Sequence, residues 1–219
     1  MKAMLLAAGR GERMRPLTDD IPKPLLHVGT KTLIEHRLES LRTAGITECV
    51  INLSYRAEQI RHALGDGSRW NMLIRYSDEG DEPLETAGGI IQALPLLGEQ
   101  PFILTNSDIW TDFNFAQLEL PAGNLAHLVL VNNPEHNRTG DFALHDGLVA
   151  SDGGNRLTYS GIGVYHPGLF AGYAAGKRPL LPVLLNAIKT GQVSGQHYHG
   201  MWCDIGTPAR LADINARSG

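Results

Sequence analysis

Cysteine is scarce in this chain: two in 219 residues, Cys49 and Cys203. They stand far apart and match no metal-binding spacing. That excludes a disulfide-stapled secreted scaffold and reads as two reduced thiols in a cytoplasmic protein. Long hydrophobic runs are lacking too. None approaches the ~18 residues that a membrane span needs, and no signal-peptide apolar region precedes the first loop. Basic charge is in short supply overall. Nineteen Lys and Arg face 23 Asp and Glu, for a formal net charge of −4, which argues against a nucleic-acid surface. Internal repeats and low-complexity linkers are absent, so a single domain over residues 1–219 is the expectation.

What is present is ordinary globular material, 42% hydrophobic and 19% charged. A domain of this size buries roughly 70% of its unfolded surface without covalent staples. Lys2 to Ala7 is an apolar run that predicts a buried strand. Helical spacing of Ile34, Leu38 and Leu41 predicts a helix from Thr32 to Ala44, stopped by Gly45. A strand over Cys49 to Leu53, a helix over Ala57 to Leu64 and a strand over Met72 to Tyr76 follow. A helix over Glu85 to Leu94 and a strand over Pro101 to Thr105 continue the alternation. This is the pattern of a parallel sheet with helices on both faces. The second half reads as richer in antiparallel strand. Leu125 to Val131 and Thr158 to Tyr165 are strands, and Asp141 to Ala150 is a hairpin turning at Asp146-Gly147. Pro179 to Lys189 is a helix, Val193 to Asp204 is mostly extended, and Pro208 to Ala216 closes as a helix. The fold class expected is α/β: a Rossmann-like domain with a central mixed, mostly parallel sheet flanked by helices.

The positive charge that the chain does have is focused. Arg10, Arg13, Arg15 and Lys23 cluster around Gly9 and Gly11, directly after the first predicted strand. Glycines let backbone N–H groups approach oxygen atoms closely, and arginines pair with phosphate bidentately. A local basic focus on an acidic protein suits a small polyphosphate. The spacing is not the dinucleotide fingerprint, because Met14 stands where a third glycine would be. It is not a P-loop, because no Gly-Lys-Ser/Thr follows. A plain flexible basic loop is the alternative, against which the prolines at 16, 22 and 24 argue. Asn106-Ser107-Asp108 falls at the carboxyl end of a predicted strand, where open α/β sheets bind ligands. Asp204 lies in Trp202-Cys203-Asp204-Ile205-Gly206. Each aspartate alone could be a helix cap. Together they offer the hard oxygens that Mg²⁺ prefers.

The run Leu6 to Leu26, LAAGRGERMRPLTDDIPKPLL, resembles the signature of the sugar-1-phosphate nucleotidyltransferases, which join a nucleoside triphosphate to a sugar 1-phosphate and release pyrophosphate. The resemblance extends over nearly the whole chain. It implies a nucleotide side made of Ala7, Ala8, Gly9, Gly11, Glu12, Arg13, Lys23, Glu85, Thr86, Gly88 and Asn106. Arg13 and Lys23 are the implied catalytic pair, with Lys23 bridging the α-phosphate and the sugar phosphate. Asp108 and Asp204 are the implied Mg²⁺ ligands. Glu12 replaces a residue that is often Thr or Ser, and Glu85 one that is often Gly. On the sugar side stand Gly140 and Asp141, and Ser160 and Gly161. The implied partners are small molecules, an NTP and a sugar 1-phosphate, with no nucleic acid and no membrane. Within the family the likeness is closest to the branch that joins UTP to a muramic acid phosphate. It runs through Pro83-Leu84-Glu85-Thr86, Gly140-Asp141-Phe142 and Val193-Ser194-Gly195.

Rival readings keep the chemistry and change the substrates: mannose 1-phosphate with GTP, glucose 1-phosphate with dTTP, or phosphocholine with CTP. A non-catalytic nucleotide-sugar binder is a rival of another class, and the presence of Arg13, Lys23 and both aspartates speaks against it. His197 and His199 form an H-x-H pair without an evident third ligand and read as surface or wall residues. Trp110 and Trp202 flank the two aspartates as sugar platforms or as core.

Overall fold

The computed structural model describes residues 1–218. In chain order the elements are β1 (Lys2–Leu6), β2 (His27–Val28), β3 (Lys31–Thr32), α1 (Leu33–Thr43), β4 (Glu48–Leu53), α2 (Ala57–Leu64), β5 (Leu73–Asp78), α3 (Glu85–Leu97) and β6 (Phe102–Asn106). The second half follows with β7 (Ile109–Thr111), β8 (Ala126–Val131), β9 (Phe142–His145), β10 (Leu148–Ala150), β11 (Arg156–Tyr165), α4 (Leu180–Lys189), β12 (Val193–Tyr198), β13 (Trp202–Asp204) and α5 (Pro208–Ser218).

A nine-stranded sheet in the order β5-β4-β1-β6-β11-β8-β12-β10-β9 forms the centre. Pairing is parallel from β5 through β6 and again between β8 and β12. It is antiparallel on both sides of β11 and on both sides of β10. Only β11 and β10 therefore run against the rest, so the expected mixed, mostly parallel sheet forms. The early strands β1, β4 and β6 are apolar almost throughout, as strands covered on both faces must be. α1 and α2 cover one face through Ile34, Leu38, Leu41, Ile60 and Leu64. α3 and α4 cover the other through Ile90, Ala93, Leu97, Val183 and Leu184.

α1 starts with a capping box. Thr32 Oγ1 accepts the Glu35 N–H, and the Glu35 carboxylate accepts the Thr32 N–H at 2.7 Å. α3 continues through Pro95 to Leu97, past its expected end at Leu94. A proline near the last turn removes only one of the final hydrogen bonds. The stretch expected to be simply extended, 193–204, divides. β12 joins the main sheet, while β13 pairs with β7 in a separate two-stranded ribbon. A third apolar cluster sits beneath that ribbon, where Met14, Leu26, Val28 and Leu33 meet Ile205, Leu211 and Ile214. It fastens the loop after β1 to the segment after β13. Among the described residues no helix is long and apolar enough to cross a membrane.

Candidate active site

The parallel strands β1, β4, β5 and β6 all end on one side, and the cleft opens there, as the strand-end rule requires. It has two connected lobes of about 580 and 1030 Å³. Leu6, Arg13, Glu85, Thr86 and Asn106 line both and mark the join.

The smaller lobe is built on the loop after β1. Ala7, Ala8, Gly9, Gly11, Glu12, Arg13 and Lys23 all line it. Gly11 has φ +65°, and a Cβ there would press on Lys23 Cβ at 3.0 Å and Thr18 Cγ2 at 3.1 Å. Its carbonyl accepts from Thr18 Oγ1 and from the Met14 N–H, both at 2.9 Å. Met14 is fully buried. The side chain that breaks the dinucleotide fingerprint is therefore the plug that anchors the loop. Arg10 and Arg13 have no hydrogen-bond or ion-pair partner among the described residues, so their guanidinium groups are available to an anion. Lys23 Nζ forms a short ion pair with Asp108 Oδ2. Ser107 ties the end of β6 to β1, its Oγ donating to the Leu6 carbonyl at 2.7 Å.

Asp108 and Asp204 come together through backbone. The Ile205 N–H donates to the Asp108 carbonyl at 2.8 Å. In the β7–β13 ribbon Asp204 is registered opposite Ile109. Asp204 Oδ2 accepts from Arg210 Nη1 at 2.6 Å. His136 Nε2 lies 3.0 Å from Asp204 Oδ1, yet is not aligned to bond it, and this buried oxygen is left without a hydrogen-bond partner. An orphaned carboxylate oxygen is what a metal ligand looks like before its cation is counted. The donor set fits Mg²⁺ on those grounds. No group of three or more His, Cys, Asp or Glu suited to a metal exists among the described residues. The pair would therefore share a cation with phosphate oxygens and water.

Two residues that the sequence reading missed complete the smaller lobe. Asn52 at the end of β4 accepts the Ala7 N–H at 2.8 Å and donates to Glu79 Oε1 at 2.6 Å. Glu79, just past β5, accepts the Leu84 N–H at 2.7 Å. This relay couples the loop after β1 to the start of α3. Asn52 lies in the last pleat of β4 and Glu79 directly follows β5, so the rule that singles out Asn106 and Asp108 also reaches them.

At the start of α3, Glu85 is exposed and holds φ +60°. A non-glycine residue in that region costs about 1–2 kcal/mol, and such strain gathers at functional sites. The next turn is not open to a ligand in the expected way. The Ala87 and Gly88 N–H groups donate to the Arg178 carbonyl at 3.0 and 3.1 Å. Gly88 does not line the cleft. A Cβ on it would overlap the Gly176 carbonyl, so this glycine serves close packing of the 176–178 loop.

In the larger lobe Asp141, Ser160 and Gly161 line the wall, while Gly140 sits outside it in the preceding turn at φ +64°. Asp141 Oδ2 accepts the Tyr159 N–H at 2.8 Å, and Oδ1 accepts from Asn137 Nδ2 at 3.1 Å. Ser160 is buried, its Oγ donating to the Val129 carbonyl at 2.7 Å. Between Tyr159 and Ile162 the register against β8 shifts, which makes a bulge of Ser160 and Gly161. Gly161 at φ +77° lets Asn106 lie against it, since a Cβ would stand 2.6 Å from Asn106 Nδ2. The bulge also frees the Ser160 carbonyl for Trp202 Nε1, 3.0 Å away. Trp202 therefore belongs to this lobe. Trp110 instead packs edge-on to His36 with centroids 4.8 Å apart and lines neither lobe. His197 and His199 also lie outside, with ring centroids 3.9 Å apart and His197 3.0 Å from Asn132 Oδ1.

A family model described as nucleotidyl transferase matches residues 2–144. The N-acetylmuramate alpha-1-phosphate uridylyltransferase of Neisseria meningitidis serogroup B is 52% identical over 100% of this chain and 99% of its own. The protein of that name from Caulobacter vibrioides is 38% identical over 96% of this chain and 94% of its own. HddC from Yersinia pseudotuberculosis superposes with a TM-score of 0.84 at 23% identity, covering 100% of this chain and 99% of the other, a likeness of fold. The family match covers most of the chain, from β1 into β9. The end-to-end relatives carry it through α5: the chain belongs to the nucleotidyl transferase family.

Proposed function

We propose that the chain transfers a uridylyl group from UTP to N-acetylmuramate 1-phosphate, forming the nucleotide sugar and pyrophosphate, with Mg²⁺ as its metal. The observation that carries this reading is the join of the two lobes, where Arg13 stands unpartnered on the shared wall, with the Lys23–Asp108 pair beside it in the smaller lobe. The substrates come from the names of relatives that match end to end. The triphosphate would lie on the loop of Gly9, Gly11 and Arg13, with the base toward Glu85 and Thr86. The sugar would lie against Asp141, Ser160 and Trp202. Supplied with phosphates, Asp108 and Asp204 would hold Mg²⁺, which screens the charge of the reacting groups.

An oxygen of the sugar phosphate attacks the α-phosphorus, and the bond from that phosphorus to the β-phosphate oxygen breaks. No covalent enzyme intermediate is needed, so positioning and charge stabilisation carry the rate. Lys23 offsets the repulsion between two anionic substrates. Arg13 neutralises charge that builds on the departing pyrophosphate. The 1030 Å³ lobe, walled on one side by Leu180, Leu181, Leu184 and Leu185, is roomy for a bare hexose and suits a substituted sugar. The reading places the work in the cytoplasm, returning muramic acid phosphate from cell-wall recycling to nucleotide-sugar form.

The test is pyrophosphate release over a grid of NTPs and sugar 1-phosphates. Turnover with UTP and N-acetylmuramate 1-phosphate, abolished by EDTA and restored by Mg²⁺, is expected. Preference for GTP with mannose 1-phosphate would overturn the substrates and keep the reaction. No turnover with any pair would overturn both.

A further inference from the structure

Arg37 is a charged side chain set in the apolar interior. α1 carries it on the stripe of Ile34, Leu38 and Leu41, and it is 3% exposed. Its Nη2 donates to the Ile109 carbonyl at 2.5 Å. Its guanidinium carbon lies 5.1 Å from the centroid of the Phe115 ring. Its Nε is buried with no hydrogen-bond partner. Burial pushes its pKa down to about 10, against the opposing pull of Asp108, so it is still charged at neutral pH. Burying an ion that is only partly satisfied is costly. A leucine on this stripe would avoid that cost.

What Arg37 grips is the backbone from which both candidate metal ligands hang. Ile109 follows Asp108 directly and is registered opposite Asp204 in the β7–β13 ribbon. Asp108 in turn holds the Ile205 N–H, the residue after Asp204. The guanidinium thus reaches from α1, behind the cleft, to the one residue common to both carboxylates.

We propose that Arg37 is a positioning residue that sets the spacing of Asp108 and Asp204 by fixing the Ile109 carbonyl. The inference rests on the reading of those aspartates as the metal pair. Outer residues that orient metal ligands typically change affinity or activity by 10–100-fold when removed. Charge alone predicts the opposite sign, since deleting a nearby cation should tighten a divalent metal.

The experiment uses Mn²⁺ as the probe, by equilibrium dialysis against buffer containing pyrophosphate to supply the phosphate oxygens, with steady-state kinetics alongside. Wild type should bind Mn²⁺, and Asp108→Asn should lose it. Arg37→Met should weaken Mn²⁺ and lower kcat, each about tenfold or more, while the KM for UTP moves less than about threefold. Arg37→Lys, which keeps the charge and a donor, should recover most of both losses. Unchanged or tighter Mn²⁺ in a folded Arg37→Met protein, whatever its Tm, would overturn the proposal. Should that variant fail to fold, Arg37→Gln, whose amide is too short to reach the Ile109 carbonyl as Nη2 does, takes its place with an expected loss of about tenfold. Mn²⁺ affinity equal to wild type would again overturn it. If wild type and Asp108→Asn bind Mn²⁺ equally, the metal assignment itself falls and the Arg37 role with it. That result is distinct from a failure confined to Arg37.

Discussion

The two lobes of the cleft share a wall but use polar groups in opposite ways. In the smaller lobe the cations are left open: Arg10 and Arg13 have no partner among the described residues, and Lys23 rests on a single carboxylate. In the larger lobe the polar groups of the wall around Asp141 already satisfy one another, with Asp204 Oδ1 the exception. Asp141 binds Tyr159 and Asn137, Asn137 Nδ2 also donates to Thr158 at 3.1 Å, and Thr158 donates to Asn133 at 2.9 Å. A polyphosphate brings its own charge and needs loose cations to meet it. A sugar has many weak groups and needs a rigid frame to select among them. Mutations in the first lobe should therefore act on rate, and those in the second on stability and sugar binding.

The sharpest contrast is with the smaller lobe beside the join. Lys23→Met should lower kcat about 10²–10³-fold, the typical loss of one donor at a charge-developing centre, with Tm nearly unchanged. Steady-state kinetics and thermal melts check it. A large fall in Tm with normal kcat would break the contrast. Arg13→Leu should follow, with a loss toward the lower end of that range and little change in stability.

Asp141→Asn should behave differently. Its Oδ2 accepts a backbone N–H in the lobe wall. Weakening a charge-assisted bond there should cost about 1–3 kcal/mol by denaturant unfolding. The KM for the sugar phosphate should rise several-fold, with kcat held within about threefold. Gly88→Ala should be destabilising by about 1–3 kcal/mol, the usual cost of overpacking, because its Cβ meets the Gly176 carbonyl. If it alters only the KM for the nucleotide and leaves stability intact, Gly88 contacts ligand and the packing argument fails.

How far the sequence could be read follows the same division. The loop after β1 was legible because one short run holds glycines, cations and a strand end together. Asp108 was legible from its place after β6. The β1–α3 alternation likewise translated directly into parallel strands. The β7–β13 ribbon was not legible, since three-residue strands carry no periodic pattern and their pairing joins segments far apart in the chain. Asn52 and Glu79 were overlooked although both lie at strand carboxyl ends. Their relay exists only once β4 and β5 lie side by side. Gly88 was assigned to the nucleotide by the family resemblance, and a glycine in a helix start does not say what approaches it. Here it is the carbonyl of Gly176. Arg37 sits within a regular apolar stripe, and its burial shows only once α1 packs against Ile109 and Phe115.

The smallest effect tests the sheet away from both lobes. His127 on β8 is 8% exposed and sits opposite Ser194 of β12. Its Nδ1 lies 2.9 Å from Ser194 Oγ and its Nε2 3.1 Å from Gln196 Oε1. Burial lowers its pKa, with Gln196 opposing. The sign follows from linkage. As pH falls below the unfolded value of about 6.5, the unfolded chain takes up a proton that the native chain refuses, so stability declines. Above that pH the group is neutral in both states and contributes no slope. His127→Gln should flatten the dependence of unfolding free energy on pH just below 6.5, measured by urea titration at a series of pH values. The kcat at neutral pH should stay at the wild-type level, because His127 lines neither lobe. A change in kcat without a change in pH slope would show that the β8–β12 layer reaches the sugar wall through β11. The two lobes could then no longer be treated as separable from the sheet beneath them.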